Sequence, residues 1–173
     1  MKLLRFSLLY LILAGLGTGS LFLFEETVYF RDRAPLVFPL AEATLRIRND
    51  RLGKGTFGAP RSGRRRHLGI DLLAAAGQPV VAVKSGVARV LDQPGMGLFV
   101  KIEHPNGLQT IYGHLSESPL LKTTRVRQGE VIGAVGKSGN ASHRAILPHL
   151  HFEMRNGKKA INPTPFLQQA LAR

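Results

Sequence analysis

After Asp71 the sequence breaks into short apolar runs, each closed by a glycine, a proline or an Asn-Gly pair, and that punctuation constrains the chain to short strands. Pro79–Val83, Gly86–Leu91, Leu98–Glu103, Leu108–Tyr112, Val131–Val135 and His149–Met154 are each of strand length. Gly77, Pro94-Gly95, Pro105-Asn106-Gly107, Gly129 and Asn156-Gly157 punctuate them. Asn106-Gly107 between two apolar runs is a hairpin signal, because both residues tolerate the positive φ of a tight turn. No run in this region keeps a helical period for three turns. A helix is expected only at the end, where Pro165 precedes Phe166–Arg173, since proline's fixed φ suits a first helical turn. The expectation is an all-β fold, a small antiparallel sheet or open barrel.

Upstream the reading changes. Lys2 and Arg5 precede an uncharged stretch, Phe6–Phe24, which is followed at once by Glu25 and Glu26. At about 1.5 Å per residue that stretch just spans a hydrocarbon core of roughly 30 Å. Basic residues ahead of it predict that the remainder is exported. Either an uncleaved single-pass membrane anchor or a signal peptide cut near Gly17 or Ser20 accounts for residues 1–26. Residues 27–50 read as a stalk with a first strand at Ala43–Ile47, and residues 51–66, rich in glycine and arginine, as a loop. The remaining divisions are a functional domain over residues 51–167 and a tail, 168–173.

The net charge of +13 predicts adhesion to an acidic surface. It does not point to specific nucleic-acid binding: there is no Trp, only three Tyr, and no helix-turn-helix or zinc-finger spacing. With no cysteine, disulfides, thiolate metal sites and a cysteine nucleophile are all excluded.

Chemistry is concentrated in histidine motifs. His67-x-x-x-Asp71 sits where a loop turns into a strand; Tyr112-Gly113-His114 closes another strand; Pro148-His149-Leu150-His151-Phe152-Glu153 opens a third. On a strand, residues two apart share a face, so His149 and His151 point the same way while Leu150 and Phe152 face the core. Two imidazoles and one carboxylate suit a catalytic zinc, which keeps a fourth position for water. Spacing alone does not bring His67 to His151, and Tyr112 with His114 would equally fit a half-exposed ladder.

Taken together, these motifs resemble the signature set of the lysostaphin-type (LytM-like) zinc metallopeptidases. Phe57-Gly58-x-Pro60-Arg61, Gly77-x-Pro79-Val80, Gly86-x-Ala88, Val126-x-x-Gly129-x-x-Ile132-Gly133, Gly136-x-Ser138-Gly139 and Asn162-Pro163 match as well, over roughly Pro39 to Leu167. The resemblance implies a lysostaphin-like β domain and an enzyme of the cell envelope, at the outer face of the inner membrane or secreted. That enzyme would hydrolyse peptide cross-links of peptidoglycan. It implies one zinc ion held by His67, Asp71 and His151, His149 as general base, and His114 orienting water or stabilising the oxyanion. Glu153 is expected beside the ligands, with Tyr112 and His143 near the groove. One departure is the segment Ala141–Leu147, bulkier than the Gly-, Ser- and Thr-rich loop usual there.

Three other readings compete. A non-catalytic activator of another wall hydrolase would resemble the family but purify without zinc. Val83-Lys84-Ser85-Gly86 and Gly129-Glu130-Val131 resemble strands of biotin- and lipoyl-bearing barrels, which do not need three histidine motifs. A DNA-binding protein would show a steeply salt-dependent affinity.

Overall fold

A computed structural model of the chain describes residues 32, 34–41, 44–105 and 107–172. The expected anchor or signal segment and the start of the stalk lie outside them. Among the described residues no helix is long and apolar enough to cross a membrane.

The described chain is mostly β-sheet. A small hairpin, β1 (Asn49–Asp50) with β2 (Gly53–Lys54), stands apart from a nine-stranded sheet. That sheet comprises β3 (Ile70–Leu73), β4 (Pro79–Val81), β5 (Gly86–Gln93), β6 (Gly97–Glu103), β7 (Leu108–Glu117), β8 (Thr123–Val126), β9 (Val131–Val135), β10 (His149–Asn156) and β11 (Lys159–Ile161). All its paired strands are antiparallel, in the order β11-β10-β7-β6-β5-β8, with β3 on β10 and β9 joining β4 to β7. One helix, α1 (Thr164–Leu171), closes the described chain, with Pro165 in its first turn and Leu167 buried.

The strand expectations from Pro79 onward hold with shifted ends. Of the expected Asn106-Gly107 turn, Asn106 lies outside the described residues, and Gly107, between β6 and β7, takes φ 77° and donates to the His104 carbonyl. The first strand expected at Ala43–Ile47 is corrected. Ala43 lies outside the described residues, Ile47 makes a single bridge to Leu72, and the first strand among the described residues begins at Asn49. The expected loop 51–66 contains β2 and a bridge between Pro60 and Arg66. The strands β8 and β11 carry too few apolar residues to announce themselves, and their pairing with β5 and β10 makes them strands.

The strand β10 separates the core from the polar face. Leu150, Phe152 and Met154 pack in the core with Ile70, Leu72, Ile102, Tyr112 and Leu115, while His149, His151 and Glu153 take the opposite face. A slip of one residue would drive two imidazoles and a carboxylate into that core, so hydrophobic burial locks the register. Each large core side chain contributes about 1.5–3 kcal/mol to that lock.

Candidate metal centre

His67 precedes β3 and Asp71 lies inside it, while His151 is the register partner of Asp71 across the β3–β10 ladder. The ladder needs close approach: a Cβ on Gly69 would stand 2.3 Å from the Phe152 carbonyl oxygen. Glycine between the two ligands is therefore a steric requirement.

Three donor atoms converge. His67 Nε2 is 3.0 Å from His151 Nδ1 and 3.1 Å from Asp71 Oδ1, and His151 Nδ1 is 2.9 Å from Asp71 Oδ1. Tetrahedral zinc with bonds of about 2.0–2.1 Å separates its ligand atoms by about 3.3 Å, so the triangle fits after shifts of a few tenths of an ångström. Two imidazole nitrogens and one carboxylate oxygen are also the donor types zinc takes.

Each ligand is oriented from behind. His67 Nδ1 donates to the Thr56 carbonyl at 3.0 Å, which leaves its Nε2 lone pair for the triangle. His151 is held the other way round: its Nε2 donates to Glu153 at 2.9 Å, freeing Nδ1. Glu153 is in turn gripped by Arg155 at 2.6 and 2.7 Å. Asp71 offers Oδ1 to the triangle while its Oδ2 accepts from Arg48 at 3.1 and 3.2 Å, with Arg61 at 3.5 Å. Backbone bonds seat Arg48: its N–H donates to the Asp71 carbonyl and its own carbonyl accepts from Gly55. Arrangements of this kind fix ligand tautomer and direction.

His114 and His149 complete the cluster. Their rings stand 5.0 Å apart and edge-on, and the His114 ring is 5.6 Å from that of His151. Simple alternation along β7 would send His114 toward the core, since Tyr112 faces that way. The strand instead carries a bulge, with Leu98 opposite Leu115 but Val100 opposite Tyr112, and His114 takes φ 61°. The extra residue lets Tyr112 and Leu115 both enter the core while His114 turns to the cleft. Such strain costs about 1–3 kcal/mol and is tolerated where the fold over-determines it.

Both rings present Nε2 as a lone pair. His114 Nδ1 donates to the Ser138 carbonyl at 3.0 Å and His149 Nδ1 to the Leu147 carbonyl at 2.7 Å, while His149 Nε2 lies 3.9 Å from Asp71 Oδ1. Burial, helped by the neighbouring His151 and His149, pulls the His114 imidazole down to about 4, and burial also lowers His149. Both are therefore neutral bases at neutral pH. In the metal-free protein His151 goes the other way, to about 9: burial opposes its charge, but hydrogen bonds to Asp71 and Glu153 outweigh it. Burial likewise opposes the Asp71 carboxylate, and bonds from His151 and His67 hold it far below the usual carboxylate range.

The cleft around these groups has a volume of about 510 Å³. Two expected residues are not part of it. Tyr112 is fully buried, its hydroxyl accepting from the Val83 N–H at 2.9 Å, because the bulge separates its face from that of His114. His143 is exposed in the loop after the 3-10 turn Gly139–Ser142, its Nδ1 accepting from the Ala145 N–H. His104, which belongs to none of the sequence motifs, is buried with both nitrogens occupied. Arg48 and Arg155 escaped the sequence reading altogether, and no motif marks Arg48, which reaches Asp71 from 23 residues away.

The sequence signature of Peptidase family M23 matches residues 65–163. The DD-carboxypeptidase/endopeptidase Mpg of Neisseria meningitidis serogroup B is 42% identical over 113 residues, which cover 61% of this chain and 25% of that protein. The murein hydrolase activator EnvC of Escherichia coli is 33% identical over 112 residues, covering 64% of this chain and 26% of that protein. The chain thus spans about a quarter of the length of these curated relatives. The structure of lysostaphin, an antimicrobial peptidase from Staphylococcus simulans, superposes with a TM-score of 0.58 at 26% identity, covering 76% of this chain and 53% of that one.

Proposed function

This chain belongs to peptidase family M23, and on that premise we propose that it is a zinc-dependent endopeptidase of peptidoglycan cross-links. The observation that carries the reading is the triangle of donor atoms at 2.9–3.1 Å, faced by two further imidazoles whose free nitrogens are held toward the same cleft.

His67, Asp71 and His151 would hold one zinc ion, which supplies Lewis acidity toward a carbonyl and toward water. The chain's own residues then do the proton work. His149 is the general base, accepting a proton at Nε2 because its Nδ1 is committed to Leu147. His114, in the tautomer fixed by Ser138, accepts as well, so in the resting state it orients water; it becomes a donor to an oxyanion only once protonated. Low proton affinity in both rings keeps them ready to accept at neutral pH. The proposed setting is the cell envelope, with residues 1–26 as anchor or cleaved signal. The basic surface would adhere to acidic wall or membrane polymers.

Similarity to the murein hydrolase activator EnvC keeps a second reading open, a non-catalytic partner of another hydrolase. All five site residues being filled and convergent favours the enzyme. Residues 27–173, incubated with purified peptidoglycan with and without a zinc chelator, test the two. Chelator-sensitive loss of cross-linked fragments by mass spectrometry supports the peptidase; neither zinc nor cleavage supports the activator.

A further inference from the structure

Beyond the histidines, the cleft is lined by two sets of residues that the proposed chemistry does not use. One is apolar: Leu52, Leu68, Met96 and Ile146, of which Leu52 and Leu68 are 51% and 45% exposed. The other is cationic, Arg65 and Arg66.

The charges of the cleft do not cancel. Its two carboxylates are already committed, Asp71 to Arg48 and Arg61, Glu153 to Arg155 and His151. Among the described residues the Arg65 guanidinium bonds only to neutral groups, the Ser62 carbonyl at 3.2 Å and hydroxyl at 2.7 Å, and that of Arg66 only to the Gly58 carbonyl at 3.3 Å. Among the described residues neither guanidinium has a carboxylate within ion-pair distance. A guanidinium carries five donors, so most of these remain free, and its planar fork matches a carboxylate.

From this we infer that Arg65 and Arg66 form a carboxylate-binding subsite beside the metal centre. The substrate is then a peptide bearing a free carboxylate and small apolar side chains, in preference to a glycine bridge that has neither. Leu52, Leu68 and Ile146 take the apolar side chains, and the guanidinium pair fixes the direction in which the peptide lies. The inference rests on reading the cleft as a peptide site, since a ligand there must be one that reaches the triangle.

The test compares three ligands on the zinc-loaded full chain in mild detergent: an alanine-containing cross-linked peptide with a free carboxylate, its amidated twin, and pentaglycine. Affinity is read by NMR titration and cleavage by mass spectrometry in the same samples. The acid should bind about tenfold tighter than the amide, the scale of a charge-assisted bond in a partly exposed site. Arg65→Gln with Arg66→Gln should erase that ratio, and the Lys pair, keeping charge without the fork, should retain part of it. Equal affinity for acid and amide, a ratio that survives the Gln pair, or inorganic phosphate binding as tightly as the acid peptide would each overturn the subsite. Discriminating binding without cleavage supports the subsite and counts against the peptidase; equal cleavage of all three peptides does the reverse.

Discussion

Two groups of buried histidines in this chain look alike by exposure and differ in what their nitrogens do. His104, 5% exposed, sits beneath the β6–β7 turn, with Nδ1 donating to the Ser85 carbonyl and Nε2 taking the Thr110 hydroxyl, both at 2.9 Å. Thr110 Oγ1 in turn lies 3.1 Å from the Tyr112 hydroxyl, which receives the Val83 N–H. His67, His114 and His151 are 6%, 6% and 7% exposed, within two percentage points of His104, yet each has one nitrogen committed to a backbone carbonyl or carboxylate and the other aimed into a cleft. Burial therefore does not separate a site from a core. A site is a set of buried polar atoms left incomplete in one direction, whereas a core network is closed.

The largest test of that contrast is removal of a triangle ligand. His67→Ala, Asp71→Ala or His151→Ala should abolish both stoichiometric zinc and cleavage, read by elemental analysis and fragment release. His149→Ala and His114→Ala should leave zinc bound and lower kcat by about 10²–10⁴-fold, the usual worth of a positioned proton acceptor. Full activity in His149→Ala would reassign the base. Between ligand and core lies Glu153→Gln, which removes the charge behind His151 and should weaken zinc binding by about 10–100-fold, measured by chelator competition. His104→Ala should do the opposite of all these, leaving zinc and the rate per folded molecule intact while costing about 2–3 kcal/mol in denaturant unfolding.

The smallest effect expected is one of pH, and the two groups contribute with defined signs. An unfolded imidazole titrates near 6.5. His104, lowered by burial, and His114, lowered to about 4, are neutral in the fold when the unfolded chain begins to take up protons. Stability from these groups is present above about pH 6.5 and is lost as pH falls toward their folded values. His151, raised to about 9 in the metal-free protein, works in reverse, its contribution complete below about 6.5 and lost as pH rises through 9. Metal-free protein should therefore be most stable near pH 6.5 in urea titrations. Zinc should flatten the alkaline side and steepen the acid side, because it removes the proton from His151 and protons compete for the ligands as pH falls.

Much of this was legible in the residues. Alternation in His149–Glu153 placed two imidazoles and a carboxylate on one face of a strand and Leu150 with Phe152 on the other, and the structure has them so. Turn residues announced the hairpin between β6 and β7. The failures share one cause. Tyr112 and His114 are two apart, which in a regular strand means one face, and no local signal reveals the bulge that separates them. Ala43–Ile47 alternates too weakly to define a strand, and pairing with residues 71–73 decided where Arg46–Arg48 lies.

What the sequence determined by itself were properties set within a few residues: the β class, the turns, the face each side chain takes, and which residue types could hold a metal. Tertiary structure alone decided which of those residues meet. His67 and His151 are 84 positions apart, and Asp71 and Arg48 are 23 apart. Their contact depends on how β3 registers against β10 and on where the Arg46–Arg48 segment lies on β3. Register is fixed by burying Ile70, Leu72, Leu150 and Phe152 together, a cooperative choice made by the whole core.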